Sequence, residues 1–226
     1  MMDSTMENVI ERKAGLTSFQ LKVLAIISML IDHMGVILYP EAVWLRYVGR
    51  LAFPIFCFLL VEGYYHTRNV AKYIARLGIF VIVSEIPFDL AFHQSLWYPE
   101  KQNVFVTLFI ALGMLWFLDR EREIITRVGI VILAMWAAEF MHSDYGFRGV
   151  LLVAVFWMTR EKKAARYIAG AAWNFLWPSK IQTAGALAML PIALYNGQRG
   201  RSMKYFFYVF YPLHLLFLYF LANIHM

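Results

Sequence analysis

An acid and a histidine stand side by side, Asp32-His33, inside the first long apolar run of the chain, and Arg50, Glu62, Glu85 and Asp89 sit within the apolar runs that follow. An ionisable side chain at bilayer depth costs about 2.5–3.5 kcal/mol on insertion scales, so groups at this density point to work on a polar substrate, a proton or an ion within the membrane. His33 suits proton transfer near neutral pH, above all when a carboxylate orients its second ring nitrogen. Adjacent residues on a helix point about 100° apart, so Asp32 cannot pair directly with His33. A base at His33 would take its orienting acid from another helix, and Glu85 and Asp89 are the candidates. The alternative is a histidine that bonds across helices and does no chemistry.

In Gly49-Arg50-Leu-Ala-Phe-Pro54 a guanidinium precedes a proline by four residues. Arginine presents a fork that fits carboxylate or phosphate, and proline frees the carbonyl four residues back, so the spacing predicts a kink that opens a cavity beside Arg50. Two readings stand: contact with a ligand, or an internal salt bridge to Asp32 or Asp89. Glu62-Gly63-Tyr64-Tyr65-His66-Thr67-Arg68-Asn69, followed by Lys72 and Arg76, makes a basic, aromatic mouth able to receive a phosphorylated cofactor such as coenzyme A. Ordinary charge anchoring with interfacial tyrosines explains the same residues. Ser84-Glu85-Ile-Pro87-Phe88-Asp89 and Tyr211-Pro212-Leu213-His214 are two further proline-marked polar stretches within apolar runs, of the kind that line cavities at membrane depth. Asn103, Thr107 and the stretch His142-Ser-Asp144-Tyr145-Gly146-Phe147-Arg148-Gly149 either floor an outer site or cap helices.

No His-x-x-x-His, His-x-x-Glu-His or Glu-x-x-His pattern lies within an apolar run, so a metal site is not expected. There is also no Gly-x-Ser-x-Gly elbow or phosphate-cradling glycine loop. Cys57 is the sole cysteine, so neither an intrachain disulfide nor a thiolate cluster is possible; it reads as a small buried hydrophobe.

These residues need elements that hold them at depth. Of the 226 residues, 61% are hydrophobic and 16% charged, with a mean hydropathy of +0.58. Soluble domains carry about 45–50% apolar and about 25% charged residues. The excess runs along the whole sequence and predicts an all-α, polytopic integral membrane helical bundle forming a single domain over 1–226. Residues 1–18 read as a cytoplasmic segment, since mixed charges at Asp3, Glu7 and Glu11 do not resemble a secretory signal. Apolar segments fall at about 19–39, 43–65, 71–92, 103–118, 125–141, 146–159, 164–177, 182–196 and 204–224. A crossing helix needs about 20 residues, so the sixth, seventh and eighth segments are short.

Alternate loops are basic. Sixteen of the 21 Lys and Arg residues fall on one side of a nine-helix arrangement, four on the other, and Arg50 lies within a span. The positive-inside rule then places the amino terminus in the cytoplasm and the carboxyl terminus outside. Asp32, His33, Arg50, Glu85 and Asp89 thereby share the outer halves of three consecutive helices, and Glu62 faces the cytoplasmic mouth. The net charge of +6 is spread among loops and forms no stripe, so nucleic acid is not an expected partner.

Several spaced motifs carry a family resemblance. Leu21-Lys-Val-Leu-Ala-Ile-Ile-Ser-Met-Leu-Ile-Asp32-His33-Met-Gly35, Arg46-Tyr-Val-Gly-Arg50-Leu-Ala-Phe-Pro54, Val61-Glu62-Gly63, His66-Thr67-Arg68-Asn69, Ser84-Glu85-Ile-Pro87-Phe88-Asp89 and Tyr211-Pro-Leu-His214 follow in the order seen in the TraX family, named for the acetylase of conjugative F pilin. The chain resembles that family throughout, most of all over 20–110, and is similar to the wider transmembrane acyltransferases. The resemblance implies an O- or N-acetyltransferase of the cytoplasmic (inner) membrane, with acetyl-CoA supplied from the cytoplasm and a histidine of an early helix serving the transfer.

On this reading His66, Arg68, Lys72 and Arg76 hold acetyl-CoA. His33 is the base or acyl carrier, and Asp32 or an acid of the third helix orients it. Arg50, Glu62, Glu85, Asp89 and His214 are the substrate-binding candidates. The acceptor would be a membrane-associated or exported hydroxyl or amine on a pilin-like protein, glycan or lipid. The outward position of His33 against a cytoplasmic donor poses a depth problem. A proton-coupled secondary transporter using Asp32, His33 and Glu85 as relays is the rival from another class, and broken helices and intramembrane acids suit it equally.

Overall fold

In the computed structural model residues 14–224 are described, so the first 13 residues of the expected cytoplasmic segment lie outside them. The described residues are helical, with two isolated β-bridges and no strand. The helices are α1 (Ser18–Ile37), α2 (Val43–Gly49), α3 (Ala52–His66), α4 (Val70–His93), α5 (Val104–Leu118), α6 (Ile124–Phe140), α7 (Gly146–Met158), α8 (Lys163–Phe175), a 3-10 segment (Gln182–Ala188) that runs into the short α9 (Met189–Ala193), and α10 (Lys204–Ile224).

Local chemistry sets the ends that matter for the site. Thr17 and Gln20 form a capping box that starts α1, satisfying amide groups that a helix start leaves open. Asn69 accepts from the Lys72 amide and starts α4. Asn103 accepts from the Phe105 amide and starts α5. The segment 43–65 is expected as one kinked helix; it is instead two, joined at Arg50 and Leu51. The proline ring would meet the Arg50 carbonyl in a continuous helix, so the chain breaks there and Pro54 falls in the first turn of α3, where its missing N–H is no loss. By contrast Pro87 and Pro212 stay inside continuous helices.

The core is built on α3, which buries Phe53, Ile55, Phe58, Leu60 and Val61 against Phe156 of α7 and Leu112 and Leu115 of α5. Around it α1 packs on α2, α3 and α10, while α4 packs on α5 and α10. Ser18–Ile37, Val43–His66 and Tyr205–Ile224 are long and apolar enough to cross a membrane. The outward faces carry exposed Ile82, Ile125, Trp136, Phe140, Leu190 and Phe217, far more apolar surface than a soluble monomer shows to water. The chain has the build of a helical membrane protein.

Candidate functional site

Two polar clusters are assembled on α1, one where it meets α2 and one where it meets α10. In the first, the Asp32 carboxylate accepts from Arg46 Nε at 3.0 Å and from Arg50 Nη2. Arg46 and Arg50 stand one turn apart, so both guanidinium groups reach the same acid. Arg50 Nη1 lies 3.5 Å from Gln182 Oε1 of the 3-10 segment, Gln182 Nε2 donates to Asn174 Oδ1 at 3.2 Å, and Asn174 Nδ2 donates to the Gly170 carbonyl at 2.8 Å. The network thus ties α1 and the α2–α3 break to α8. Gly49 permits the approach, since a Cβ there would overlap the Asp32 side chain.

The second cluster is a pair of histidines. His33 Nδ1 and His214 Nε2 are 2.7 Å apart, and His214 Nδ1 is 2.7 Å from the Phe210 carbonyl oxygen. The two imidazole planes lie within 5° of parallel, Phe210 stacks on His214, and Phe92 sits edge-on to His33 at 5.2 Å. His33 is half-buried, His214 buried.

At the other end of the bundle a cavity of about 810 Å³ opens between the start of α1, the end of α3, the start of α4 and the 195–199 loop. This is the size range of small-molecule and cofactor sites. Its basic lining is Lys22, His66, Arg68, Lys72, Arg76 and Arg199, with Glu62 as the acid among them. A smaller cavity of about 450 Å³ shares Glu62, Tyr195 and Gly197 with it and adds Lys163 and Arg166. The 195–199 loop is held in place by residues 15–19, with Leu16 and Leu194, and Ser18 and Gln198, joined by backbone bonds of 2.7 and 2.8 Å. Deep in the large cavity Phe105, Leu108 and Tyr208 line the wall. The Tyr211 ring is 5.0 Å from Phe105 and 6.2 Å from His33. One tyrosine therefore stands between the cavity wall and the histidine pair.

The sequence profile of the family described as TraX protein matches residues 18–222. The chain belongs to the TraX family. It is 29% identical to a protein named probable fimbrial assembly protein FimC, serogroup H1, of Dichelobacter nodosus, over 90% of this chain and 95% of that one. It is 28% identical to Protein TraX of Escherichia coli over 60% of this chain and 53% of the relative, so that match spans about half of the Escherichia coli protein. An uncharacterized protein of Rickettsia prowazekii is 26% identical over 65% of this chain and 58% of that one. No solved structure matches the chain significantly.

The TraX motif residues fall into two groups. Asp32, His33, Arg50 and His214 come together, and His66, Arg68, Lys72 and Arg76 share one cavity with Glu62. Glu85 and Asp89 join neither group. Glu85 Oε2 accepts from the Asn103 side chain and lies 3.5 Å from the Asn103 amide. Asp89 Oδ2 accepts from the Tyr98 amide at 2.8 Å, fastening the turn that ends α4. Neither acid contacts His33, so the expected carboxylate partner is replaced by His214. Asp32 does not orient His33 either, because both its oxygens face arginines. Arg50 has the internal salt bridge, which was one of its two sequence readings. Asn103 and Thr107 act as structural links, Thr107 bonding Ser143 at 3.0 Å.

Sequence reasoning missed Arg46, Gln182 and Asn174 as partners of Asp32 and Arg50, and Lys22 and Arg199 as walls of the cavity. The spacing of Arg46 to Arg50 was a usable signal, since four residues on a helix share a face. Nothing in the sequence links Arg199 or Gln182 to residues more than a hundred positions away. Tyr145 stacks on Phe53 with ring centroids 3.4 Å apart, and burial pushes its phenol well above the ordinary range, leaving it a neutral hydroxyl.

Proposed function

We propose that this protein is a membrane acetyltransferase that takes acetyl groups from acetyl-CoA in the basic cavity and passes them to a hydroxyl or amine, with His33 as the base. The observation that carries the reading is the arrangement of the cavity and the histidine: six basic side chains at the mouth, an aromatic wall in the interior, and the His33–His214 pair one tyrosine ring beyond it. Phosphates favour the arginines and lysines of such a mouth, and the pantetheine arm suits the apolar interior between Leu60, Leu77 and Phe105. The inward reach of the cavity eases the depth problem posed by an outward histidine and a cytoplasmic donor.

In the transfer His33 removes the proton of the acceptor hydroxyl or amine as that atom attacks the thioester carbonyl. The C–S bond breaks, and the CoA thiolate takes the proton back from imidazolium. Arg50, anchored by Asp32 with Nε free of partners among the described residues, would in this reading hold the acceptor or steady charge on the thioester oxygen. In this reading the chain crosses the cytoplasmic membrane nine times, amino terminus inside, with α2 and α3 forming one broken span and the 3-10 segment and α9 another. Relatives named for fimbrial assembly and TraX favour an exported protein of the pilin kind as acceptor.

The test is CoA release by purified protein in lipid nanodiscs, wild type beside His33→Ala. Turnover is expected to fall about 10²- to 10⁴-fold while acetyl-CoA binding by calorimetry is retained. Unchanged CoA release in the mutant would remove His33 from the chemistry. A second reading, proton-coupled transport, has one observation in its favour: Glu85 Oε1 and Asp89 Oδ1 are buried without hydrogen-bond partners among the described residues. It requires proton-driven flux in proteoliposomes with no thioester cleavage.

A further inference from the structure

We propose that His214 is a positioning residue that locks His33 in the tautomer protonated at Nδ1, making His33 Nε2 the reacting nitrogen. Counting protons fixes the tautomer. A carbonyl oxygen only accepts, so the 2.7 Å contact between His214 Nδ1 and the Phe210 carbonyl requires the proton on His214 Nδ1. A neutral imidazole carries one proton, so His214 Nε2 is then a lone pair. His33 Nδ1, 2.7 Å away, must donate to it. The lone pair of His33 is left on Nε2, which has no hydrogen-bond partner among the described residues.

The opposite arrangement would need a doubly protonated His214, a cation in apolar surroundings. No carboxylate faces it. Asp32 is engaged by Arg46 and Arg50, Glu85 by Asn103, and Asp89 by the Tyr98 amide. The groups packed around His214 are Phe210, Tyr211 and His33 itself.

The pair also suits both halves of a proton cycle. When His33 Nε2 takes a proton, Nδ1–H still donates to His214 and the same hydrogen bond holds the imidazolium. No side chain has to turn between the steps. His214 therefore does for His33 what a carboxylate does in an acid–histidine pair, with a neutral acceptor in place of a charge.

This inference rests on the acetyltransferase reading for its consequence but not for its test. Nitrogen-15 spectra of histidine-labelled protein in nanodiscs, with His33 assigned by its loss in His33→Ala, report which ring nitrogen holds the proton. The expected result is Nδ1–H on His33. In His214→Leu the acceptor is gone, so His33 is expected to populate both tautomers and kcat to fall at least about tenfold with the KM for acetyl-CoA unchanged. His214→Gln, whose amide oxygen can accept at that reach, is expected to recover most of the tautomer preference and of kcat. Nε2–H on His33 in the wild type would overturn the proposal, as would full kcat in His214→Leu beside an inactive His33→Ala. Wild-type protein that never cleaves acetyl-CoA would defeat the acetyltransferase reading instead, and the nitrogen spectra would still decide the proton's place.

Discussion

Asp32 faces two guanidinium groups, and this decides which residue can assist His33. The side chains of Asp32 and Arg50 are 9% and 15% exposed, so the pair is largely withdrawn from water and removing one partner strands the other. Loss of one member of a buried ion pair costs about 3–5 kcal/mol, somewhat less here because Arg46 is more open at 30%. Asp32→Asn is therefore expected to lower the melting temperature markedly in detergent. Adding Arg50→Gln to it should recover part of the loss, because one stranded charge is then gone. Additive losses in the double mutant would show that Asp32 and Arg50 do not act as a pair. Neutral behaviour in Asp32→Asn would show that lipid or water compensates for the charge.

At the scale of helices, contacts through glycine set how closely elements approach. The α1–α2 contact passes through Gly49, where a Cβ would overlap Asp32, whereas a Cβ at Gly113 of α5 meets nothing within 4 Å. Gly49→Ala is thus expected to destabilise by about 1–3 kcal/mol through overpacking. Gly113→Ala is expected to be neutral or to stabilise by up to about 1 kcal/mol, since alanine is the better helix former. Thermal melts of the two variants side by side separate a close-packing role from a general glycine effect. The start of α4 carries a second element-level expectation. Lys72 and Arg76 lie one turn apart on the cavity wall, so Arg76→Ala should raise the KM for acetyl-CoA about tenfold, equal to about 1.4 kcal/mol, with kcat little changed. Added salt should raise the wild-type KM in the same direction. A salt-independent KM would argue that phosphates do not meet this wall.

Across the whole molecule, charge separates the two ends of the bundle. Basic side chains crowd the cavity end, while beyond the far end of α4 stand exposed Trp97 and Glu100, with Lys101 paired to Asp144 at 2.9 Å. The proposed nine-crossing arrangement makes a direct expectation for intact cells. Cys57 is buried, so it should stay silent toward a membrane-impermeant maleimide. Glu100→Cys should label from outside, and Arg122→Cys only after the membrane is opened. Both positions are exposed in the fold. Labelling of Arg122→Cys in intact cells would remove one crossing between them and invert the later loops.

Composition and hydrophobic patterning were enough to read a helical bundle, because a chain that is apolar along its whole length has few other ways to satisfy its backbone in lipid. Motif order carried the family, and the basic run from His66 to Arg76 carried one wall of the cavity, because those residues are neighbours on the end of α3 and the start of α4. The break at Arg50 was legible only as a proline signal; whether the helix bends or stops depends on what receives Arg50, here Asp32 and Gln182. The partner of His33 was not legible. Glu85, Asp89 and His214 all lie at suitable depth by sequence, and only the packing of α10 against α1, with Asn103 and Tyr98 occupying the acids, leaves His214 as the one that reaches it. Residue types and spacing fix what each helix carries on each face. Which faces meet is decided by how the helices pack, because contacts between residues 181 positions apart leave no local pattern in the chain.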